Sequence, residues 1–410
     1  MAHFTHLRLQ TSGLFRPLLL ISLLMASPLA NLSAYCQTYS ETGQYKNYIS
    51  TGMPILLIAP DAVSSGMGDV GAASEPDLYS GHWNNAKFAF VKGNMGVGLT
   101  YTPWLRNLHV GDMNLFFLSG YYRINNRSTV AAGLTYFTLG DIDNTDNEGN
   151  RIQTIHPNEF AFDATYALKL NDNLSLGASG RYIRSDLTNG ATVEDGSGHT
   201  ETHAANSLAA DIGLYYQGDI DPTQALALGA FVSNLGAKLS YSDDDNDKEF
   251  LPANLRIGAR YTNKIDQYNK ISLLLDANKL LVPTRPYTRD GVDYPTRYAN
   301  NLTEYNNIGV IQGALQSFVD APGGMREELQ EIQLSVGAEY WYAETFAARI
   351  GYFWEHENKG GRQYVTIGAG LRYNVFAFDL AYLIPTTRIS TSPLANTIRL
   401  GLSMEMMPTK

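Results

Sequence analysis

Apolar and polar residues alternate with a period of two through most of this chain, from about residue 93 to the C-terminal end. In the last such run, Ile398, Leu400 and Leu402 share one face, and Arg399 and Gly401 share the other. A period of two places successive side chains on opposite faces of a β-strand. Long strands with one apolar and one polar face are typical of transmembrane β-barrels, in which the apolar side chains contact lipid. The pattern therefore predicts an all-β fold.

The alternation predicts fourteen strands, and the connections between them follow a regular order. The strands lie near 94–104, 112–124, 129–140, 159–170, 174–187, 205–217, 224–236, 253–263, 269–282, 330–342, 345–356, 363–373, 376–387 and 395–406. Along the chain, every second connection is a short turn. The connections between these turns include four long segments, 141–157, 188–203, 237–252 and 283–329. Bacterial outer-membrane barrels have short periplasmic turns and long external loops. We therefore predict a 14-stranded antiparallel barrel in the outer membrane of a Gram-negative bacterium, with short helices at 304–320 and 325–331.

The segments before the first strand have a different character. Residues 1–36 resemble a signal peptide, with Arg8 and Arg16 before the apolar run 18–26 and candidate cleavage sites near Ala34 and Cys36. Lipidation of Cys36, the one cysteine, is the less favoured alternative, because the bulky Tyr35 precedes it. We expect 37–92 to form a periplasmic N-terminal segment and a plug inside the barrel, and 93–410 to form the barrel.

Glycines on the predicted lumen face support such a plug. The lumen of a barrel this large is too wide for wall side chains alone to fill. Positions without a side chain leave room for a folded segment, and we expect that role for Gly98, Gly177, Gly258, Gly337, Gly351, Gly368 and Gly401.

Composition and charge exclude several other classes of protein. Charged residues make up 17% of the chain, and the formal net charge is −10. A negative charge argues against nucleic acid as a partner. Outside the N-terminus there is no apolar run of the roughly 18 residues that a membrane helix needs, so a helical membrane protein is disfavoured.

Several short motifs imitate binding sites. Gly66-x-Gly68-x-x-Gly71 has the spacing of a dinucleotide fingerprint, but no strand–turn–helix unit surrounds it, so a tight turn is favoured. His199 and His203 are four residues apart, which on a helix could bind zinc, but glycines around them favour a solvated loop. An acidic cluster fits a solvated loop tip better than a calcium site, because Lys248 stands where an EF-hand needs glycine; the cluster contains Asp243, Asp244, Asp245, Asp247 and Glu249.

Charged residues on the predicted lumen faces leave two interpretations open, namely charge pairing that fixes the plug or an ion-conducting pore. Ionisable groups are costly against lipid, which favours the lumen for all of them. They are Arg181, Arg256, Arg260, Arg349, Arg372 and Arg399, with Asp163, Asp211, Glu339, Glu355, Asp379 and Glu405. No arrangement typical of catalysis is recognisable, so we expect no enzyme activity, no cofactor and no metal site.

Ordered blocks between residues 58 and 124 resemble the PorV family, outer-membrane components of the type IX secretion system of Bacteroidota, within the wider FadL-like group of barrels. The matching blocks are 58–62, 66–71, 82–87, 101–105 and 120–124. The resemblance implies fourteen strands and an N-terminal hatch. It assigns a structural role in the plug to Asp61, Gly66, Gly68, Asp69, His82, Trp83, Asn84 and Lys87. The chain has Asn84-Asn85-Ala86 where FadL-like proteins usually have Asn-Pro-Ala, and this difference predicts a looser turn.

The resemblance implies a role in protein transport without chemistry. The barrel would bind the C-terminal signal domain of cargo leaving the translocon and carry it to the attachment complex that contains a sortase-like peptidase, while its outer wall contacts lipid and lipopolysaccharide. Tyrosine and phenylalanine are common at protein interfaces, so the candidate partner-binding residues of the external loops are Tyr241, Phe250, Tyr287, Tyr294, Tyr305 and Phe318.

Two alternatives remain at this point. One is a FadL-like transporter of hydrophobic small molecules, which needs an apolar pocket between plug and wall; the residues that could line it are Ile55, Leu56, Leu57, Met67 and Met95. The other is a structural outer-membrane protein without specific cargo.

Overall fold

Fourteen antiparallel strands form a closed barrel in the computed structural model, which describes residues 48–106, 112–145, 151–188, 192–195, 198–242, 248–289, 292–386 and 397–406. Each strand pairs with its neighbour in sequence, and the last strand pairs with the first. We number the barrel strands β1 (Met95–Pro103), β2 (Asn114–Arg123), β3 (Ser128–Thr138), β4 (Asn158–Lys169), β5 (Leu174–Asp186), β6 (Ala205–Asp219), β7 (Gln224–Gly236), β8 (Asn254–Lys264), β9 (Asn269–Leu280), β10 (Gln333–Tyr342), β11 (Phe346–Trp354), β12 (Gln363–Tyr373), β13 (Phe376–Pro385) and β14 (Thr397–Met406).

The barrel closes where the alternation predicts it. Met95 lies opposite Met406, and Leu99 lies opposite Leu402. In β14 the side chain of Leu402 is 59% exposed on the outer face, whereas Arg399 is 3% exposed and points into the barrel. The same division holds around the wall, so the predicted fold class and all fourteen predicted strands are confirmed.

The two ends of the barrel differ in their connections. At the turn end, short turns join β2 to β3, β4 to β5, β6 to β7, β8 to β9, β10 to β11 and β12 to β13, and β1 begins and β14 ends there. At the loop end, the connections are longer and contain structure of their own. Two-stranded hairpins form at Ile142–Thr145 with Arg151–Ile155, at Thr192–Asp195 with Gly198–Glu201, and at Tyr287–Arg289 with Val292–Tyr294.

These hairpins differ from the sequence-based expectation of loops. His199 lies in one of them, because local strand pairing overrides the glycines around it. The acidic residues 243–247 and the predicted signal peptide with Cys36 lie outside the described residues. Within the described part of the chain, no group of three His, Cys, Asp or Glu side chains is placed to hold a metal ion.

The insertion between β9 and β10 carries three short helices, Leu302–Asn307, Val310–Gln316 and Met325–Gln330, as expected from the sequence. Glu357–Lys359 forms a 3-10 turn between β11 and β12. Among the described residues, no helix has the length and apolarity needed to cross a membrane.

The segment before β1 contains short helical pieces at Pro54–Leu57, Ala62–Ser65, Ser80–Trp83 and Asn85–Phe90. Its described part begins at the loop end, where the N–H of Gly52 donates to the carbonyl of Phe250. It ends at the turn end, where the N–H of Asn94 donates to the carbonyl of Met406. Residues 53–92, the lumen segment, thus pass along the inside of the barrel from the loop end to the turn end. From the sequence we expected the residues before the plug to lie in the periplasm. In the structure the described part of this segment instead begins at the loop end.

Candidate functional site: the lumen segment and the loop-end surface

The inner wall approaches the lumen segment most closely at glycines. A Cβ atom placed on Gly351 would lie 1.9 Å from the carbonyl carbon of Met67, and one on Gly177 would lie 2.4 Å from Oδ1 of Asn85. All seven glycines expected to leave room have an atom of the lumen segment within 3.3 Å of such a Cβ; they are Gly98, Gly177, Gly258, Gly337, Gly351, Gly368 and Gly401. At these positions the wall lies directly against the lumen segment and leaves little space for a side chain.

Asp61 and Trp83 organise the centre of the lumen segment. Asp61 caps the helix Ala62–Ser65 by accepting from the N–H of Ser64 at 2.8 Å. Its second carboxylate oxygen accepts from the indole N–H of Trp83. Both side chains are fully buried. Because a buried carboxylate is stable only when its oxygens are hydrogen-bonded, this contact fixes two turns of the segment against each other.

Gly66, Gly68 and Asp69 form the turn that follows this helix. Gly68 has φ +75°, and its N–H donates to Oγ1 of Thr366 on β12 at 2.8 Å. Asp69 also has a positive φ and accepts from the hydroxyl of Tyr364. The glycine motif is therefore a turn docked on the wall, as the sequence indicated.

Asp276 on β9 holds the next turn, and sequence reasoning did not single it out. One of its carboxylate oxygens accepts from the N–H groups of Gly71 and Ala72 at 2.7 and 2.8 Å. The side chain is buried. Its inward position in the alternation Ser272, Leu274, Asp276 was the available signal. Charge-assisted bonds of this kind are stronger than neutral ones, so this carboxylate anchors the segment to the wall.

Asn84 and Asn85 connect the segment to β5 and β6. The Asn84 amide donates to the carbonyls of Ala72 and Leu214 at 2.9 and 3.0 Å. The Asn85 amide donates to Oγ of Ser179 at 2.7 Å. Both are fully buried. Asn85, which stands where FadL-like proteins usually have proline, thus contacts the wall through its side chain.

Lys87 and His82 complete the predicted plug residues. Lys87 is fully buried, and its ammonium donates to Oγ of Ser74 at 2.7 Å. His82 packs edge-on against Trp83, with ring centroids 4.8 Å apart. The guanidinium of Arg256 lies 4.5 Å above the Trp83 ring and donates to the Trp83 carbonyl. The cation from the wall thus stacks on the aromatic centre of the segment.

Several charged side chains inside the barrel form ion pairs. Arg181 contacts Asp211 at 2.9 Å, and Arg349 contacts Asp379 at 2.6 Å and Glu339 at 3.7 Å. These pairs favour the charge-pairing interpretation over an ion-conducting pore. Arg372 also has the expected inward position, with its guanidinium 4.3 Å from the buried Trp341 ring, although it is exposed near the turn end.

The lumen segment is tied to the turn end by Glu75. Its carboxylate contacts Lys92 at 2.6 Å and Lys270 on β9 at 3.1 Å, with Arg260 at 3.9 Å. This cluster closes the segment against the wall just before β1 begins.

A small cavity lies between the lumen segment and the wall. It is lined by Ile55, Leu56 and Phe117 among others, and its volume is about 10 Å³. That is about the space of one water molecule. Two of the residues proposed to line a hydrophobe pocket lie elsewhere, because Met95 faces outward and Met67 packs against the opposite wall at Gly337.

The loop end has a hydrophobic core of its own. Phe250 and Tyr305 are buried, with ring centroids 5.4 Å apart, and Ile49 packs against them. The ammonium of Lys238 lies 3.9 Å from the Phe250 ring and donates to the carbonyl of Asn306 at 2.9 Å. Burial lowers the pKa of Lys238 to about 8, with Lys248 adding to the effect.

The six candidate partner-binding residues therefore have different environments. Phe250 and Tyr305 form this core, and Tyr241 is half-buried with its hydroxyl donating to Ser185. Phe318 is exposed. For Tyr287 and Tyr294 the structure describes only the backbone, which lies in the third hairpin. Sequence reasoning missed the exposed loop-end residues Tyr48 and Leu302, because exposure depends on tertiary contacts.

Comparison with known proteins gives a family and several similar barrels. No curated protein matches the chain. Similar solved structures include the P. putida toluene transporter TodX (11% identity, TM-score 0.49, covering 85% of this chain and 99% of that chain). They also include the Ralstonia pickettii toluene transporter TbuX (13% identity, TM-score 0.47, covering 84% and 98%).

The third similar structure is a Pseudomonas aeruginosa FadL homologue (11% identity, TM-score 0.42, covering 84% and 98%). At these low scores the structural likenesses carry no argument about function. The model of the family described as type IX secretion system protein PorV matches residues 41–287, more than half of the chain. The chain therefore belongs to the PorV family of type IX secretion system proteins.

Proposed function

We propose that this protein is an outer-membrane carrier of the type IX secretion system. It binds the C-terminal signal domain of secreted cargo as the cargo leaves the translocon, and it delivers the cargo to the attachment complex with the sortase-like peptidase. The observation that carries this proposal is the family match, which extends from residue 41 to 287 and so includes the lumen segment and β1 to β9.

The lumen segment acts in this proposal as a permanent plug. Its groups donate buried hydrogen bonds to Asp276, Thr366 and Ser179, which hold it to three parts of the wall. The cavity beside it, at about 10 Å³, is too small for a hydrocarbon solute or a peptide. This supports a carrier over a transporter of hydrophobic molecules, with cargo bound outside the lumen.

Cargo binds, in this proposal, at the exposed residues around the loop-end core. Tyr298 and Leu302 are exposed on the β9–β10 insertion, and Leu302 begins the helix that contributes Tyr305 to the core. Tyr48 is exposed next to Ile49, which packs on the same core. Exposed aromatic and apolar side chains on a rigid base are typical of protein-binding surfaces.

The test uses the double variant Tyr298→Ser, Leu302→Ser in the native host. We expect normal amounts of folded barrel, and at least fivefold less signal domain recovered when the barrel is purified in mild detergent. Ile265→Ser, which changes an exposed apolar residue at the turn end, is the control. Point variants are preferable to deletion of 304–320, because that segment includes the buried Tyr305, Ser317 and Asp320.

Two results would contradict this proposal at different levels. Wild-type capture by the double variant would remove the loop-end surface from the proposal. Failure of the wild-type protein to recover any signal domain would refute cargo binding itself and favour a purely structural role.

A further inference from the structure

The β9–β10 insertion covers part of the outer wall of the barrel. In β7 and β8, Val232 and Leu255 have outward positions, because their neighbours Phe231 and Arg256 are buried inside the barrel. Both pack against a buried cluster formed by Ala253, Leu281 and Ala314, and Ala314 belongs to the helix Val310–Gln316. The helix therefore lies against the outside of the wall, at the loop end of β7 and β8.

A second contact confirms that the insertion turns outward. Lys279 also has an outward position, since it is opposite Leu255 in the pairing of β8 with β9. Its ammonium contacts Glu328 at 3.1 Å and Glu331 at 2.5 Å, and all three side chains are buried. These ion pairs hold the helix Met325–Gln330 beside the same part of the wall.

The insertion presents an apolar face away from the wall. Ile311 is 59% exposed and Leu315 is 70% exposed, and their spacing of four places them on one side of the helix. Phe318 and Val319 continue this face after the helix ends. We call these four residues the lateral face. No charged residue occurs anywhere between 305 and 319.

The strands that carry the insertion also carry part of the apolar outer surface of the barrel. Nearer the turn end on the same strands, the outward residues Leu228, Ile257 and Leu275 are exposed. A membrane barrel exposes such residues to the hydrocarbon of the bilayer. A helix without charged residues that packs on the loop-end edge of this surface has the position and composition of an element embedded at the membrane interface.

We propose that the lateral face is embedded in the outer leaflet of the membrane and contacts lipid acyl chains. The proposal rests on the outer-membrane location included in the proposed function, and it is independent of cargo binding. The insertion thereby has two separate surfaces, one around Tyr298 and Leu302 for protein and one for lipid. Membrane contact fixes how far the first surface stands above the bilayer.

Spin labels in vesicles test this proposal. Single variants Leu315→Cys and Ile311→Cys, in a Cys36→Ser background, are labelled with a nitroxide and reconstituted into phosphatidylethanolamine–phosphatidylglycerol vesicles. Collisions with oxygen, which is enriched in hydrocarbon, are compared with collisions with a water-soluble nickel chelate. Ile257→Cys on the wall is the control for lipid contact, and Glu304→Cys, an exposed loop-end position, is the control for water contact.

We expect the ratio of oxygen to nickel accessibility at Leu315 and Ile311 to resemble that of Ile257 and to exceed that of Glu304 at least threefold. A ratio equal to that of Glu304 would overturn the proposal. A second result would also overturn it: high nickel accessibility at Leu315 and Ile311 in vesicles and low accessibility in native membranes. That result would show that a protein, and not lipid, covers the lateral face. If Ile257 on the wall has the same low ratio as Glu304, the outer-membrane location itself is refuted. Failure of the lateral-face proposal can therefore be distinguished from failure of the membrane location.

Discussion

At the scale of single residues, the lumen segment depends on a few buried polar groups and close backbone contacts. Asp61 joins a helix cap to Trp83, and Asp276 accepts from two backbone N–H groups. Each such carboxylate replaces water with hydrogen bonds from the protein, and loss of a partner leaves a buried polar group unsatisfied. The stability of the lumen segment is therefore sensitive to single substitutions that add or remove one atom at these contacts.

Gly68→Ala tests one of these close approaches. The new Cβ would lie 2.6 Å from the backbone nitrogen of Tyr352, and φ at this position is +75°. A left-handed backbone alone costs an alanine about 1–2 kcal/mol, and the clash adds to it. We expect a lower denaturation midpoint in detergent and faster hydrogen exchange at residues 64–72. Gly180→Ala, where a Cβ meets open space, is the matched control. Equal midpoints for the two variants would contradict this account.

At the scale of elements, the β9–β10 insertion is held by contacts that differ from those of the barrel strands. The strands are fixed by continuous backbone pairing, whereas the insertion depends on side chains such as Lys238, Lys279 and Asp320. Asp320 accepts from the N–H of Thr284 at 2.8 Å and from its hydroxyl at 3.2 Å. Burial raises the pKa of Asp320 to about 6, and the nearby Glu328 and Glu331 add to this shift.

The insertion should therefore lose stability as the pH rises. Because the folded-state pKa of Asp320 is raised from 3.8 to about 6, its stabilising contribution is complete below about pH 4 and is lost as the pH rises through about 6. We expect hydrogen exchange at 310–320, corrected for the intrinsic rate at each pH, to be roughly tenfold faster at pH 7.5 than at pH 4.5.

Asp320→Asn should flatten this dependence, because the amide oxygen still accepts from Thr284 and carries no charge. The control is Glu304→Gln, an exposed carboxylate on the same insertion. An unchanged pH dependence in Asp320→Asn would assign the effect to another group.

At the scale of the whole molecule, the segment that precedes the first barrel strand lies inside the barrel. Residues 49–58 pack at the loop end, and Glu75 and Lys92 meet at the turn end, immediately before β1. The lumen segment thus connects the loop-end core to the turn end. A closed barrel without a free sheet edge and a segment bonded to many strands make one mechanical unit.

This arrangement predicts which residues are reachable from outside the cell. Tyr48 is 49% exposed at the loop end. With the long loops external, Tyr48→Cys in a Cys36→Ser background should react with a membrane-impermeant maleimide on intact cells. Asp172→Cys, at an exposed turn-end position, should react only after the outer membrane is permeabilised. The reverse labelling would show that the barrel is inserted with the opposite orientation.

The sequence by itself determined the strands, their order and the faces they expose, because alternation is a local property and each strand pairs with its neighbour. It also identified the inward glycines that the lumen segment contacts, because a glycine at an inward position of the alternation can be recognised from the sequence. Tertiary structure alone decided which inward carboxylate meets which turn, as at Asp276, and that Asn85 gains a bond to Ser179. It also decided that Phe250 and Tyr305 are buried while Leu315 is exposed. These outcomes depend on how distant segments pack, and no short pattern in the sequence encodes that packing.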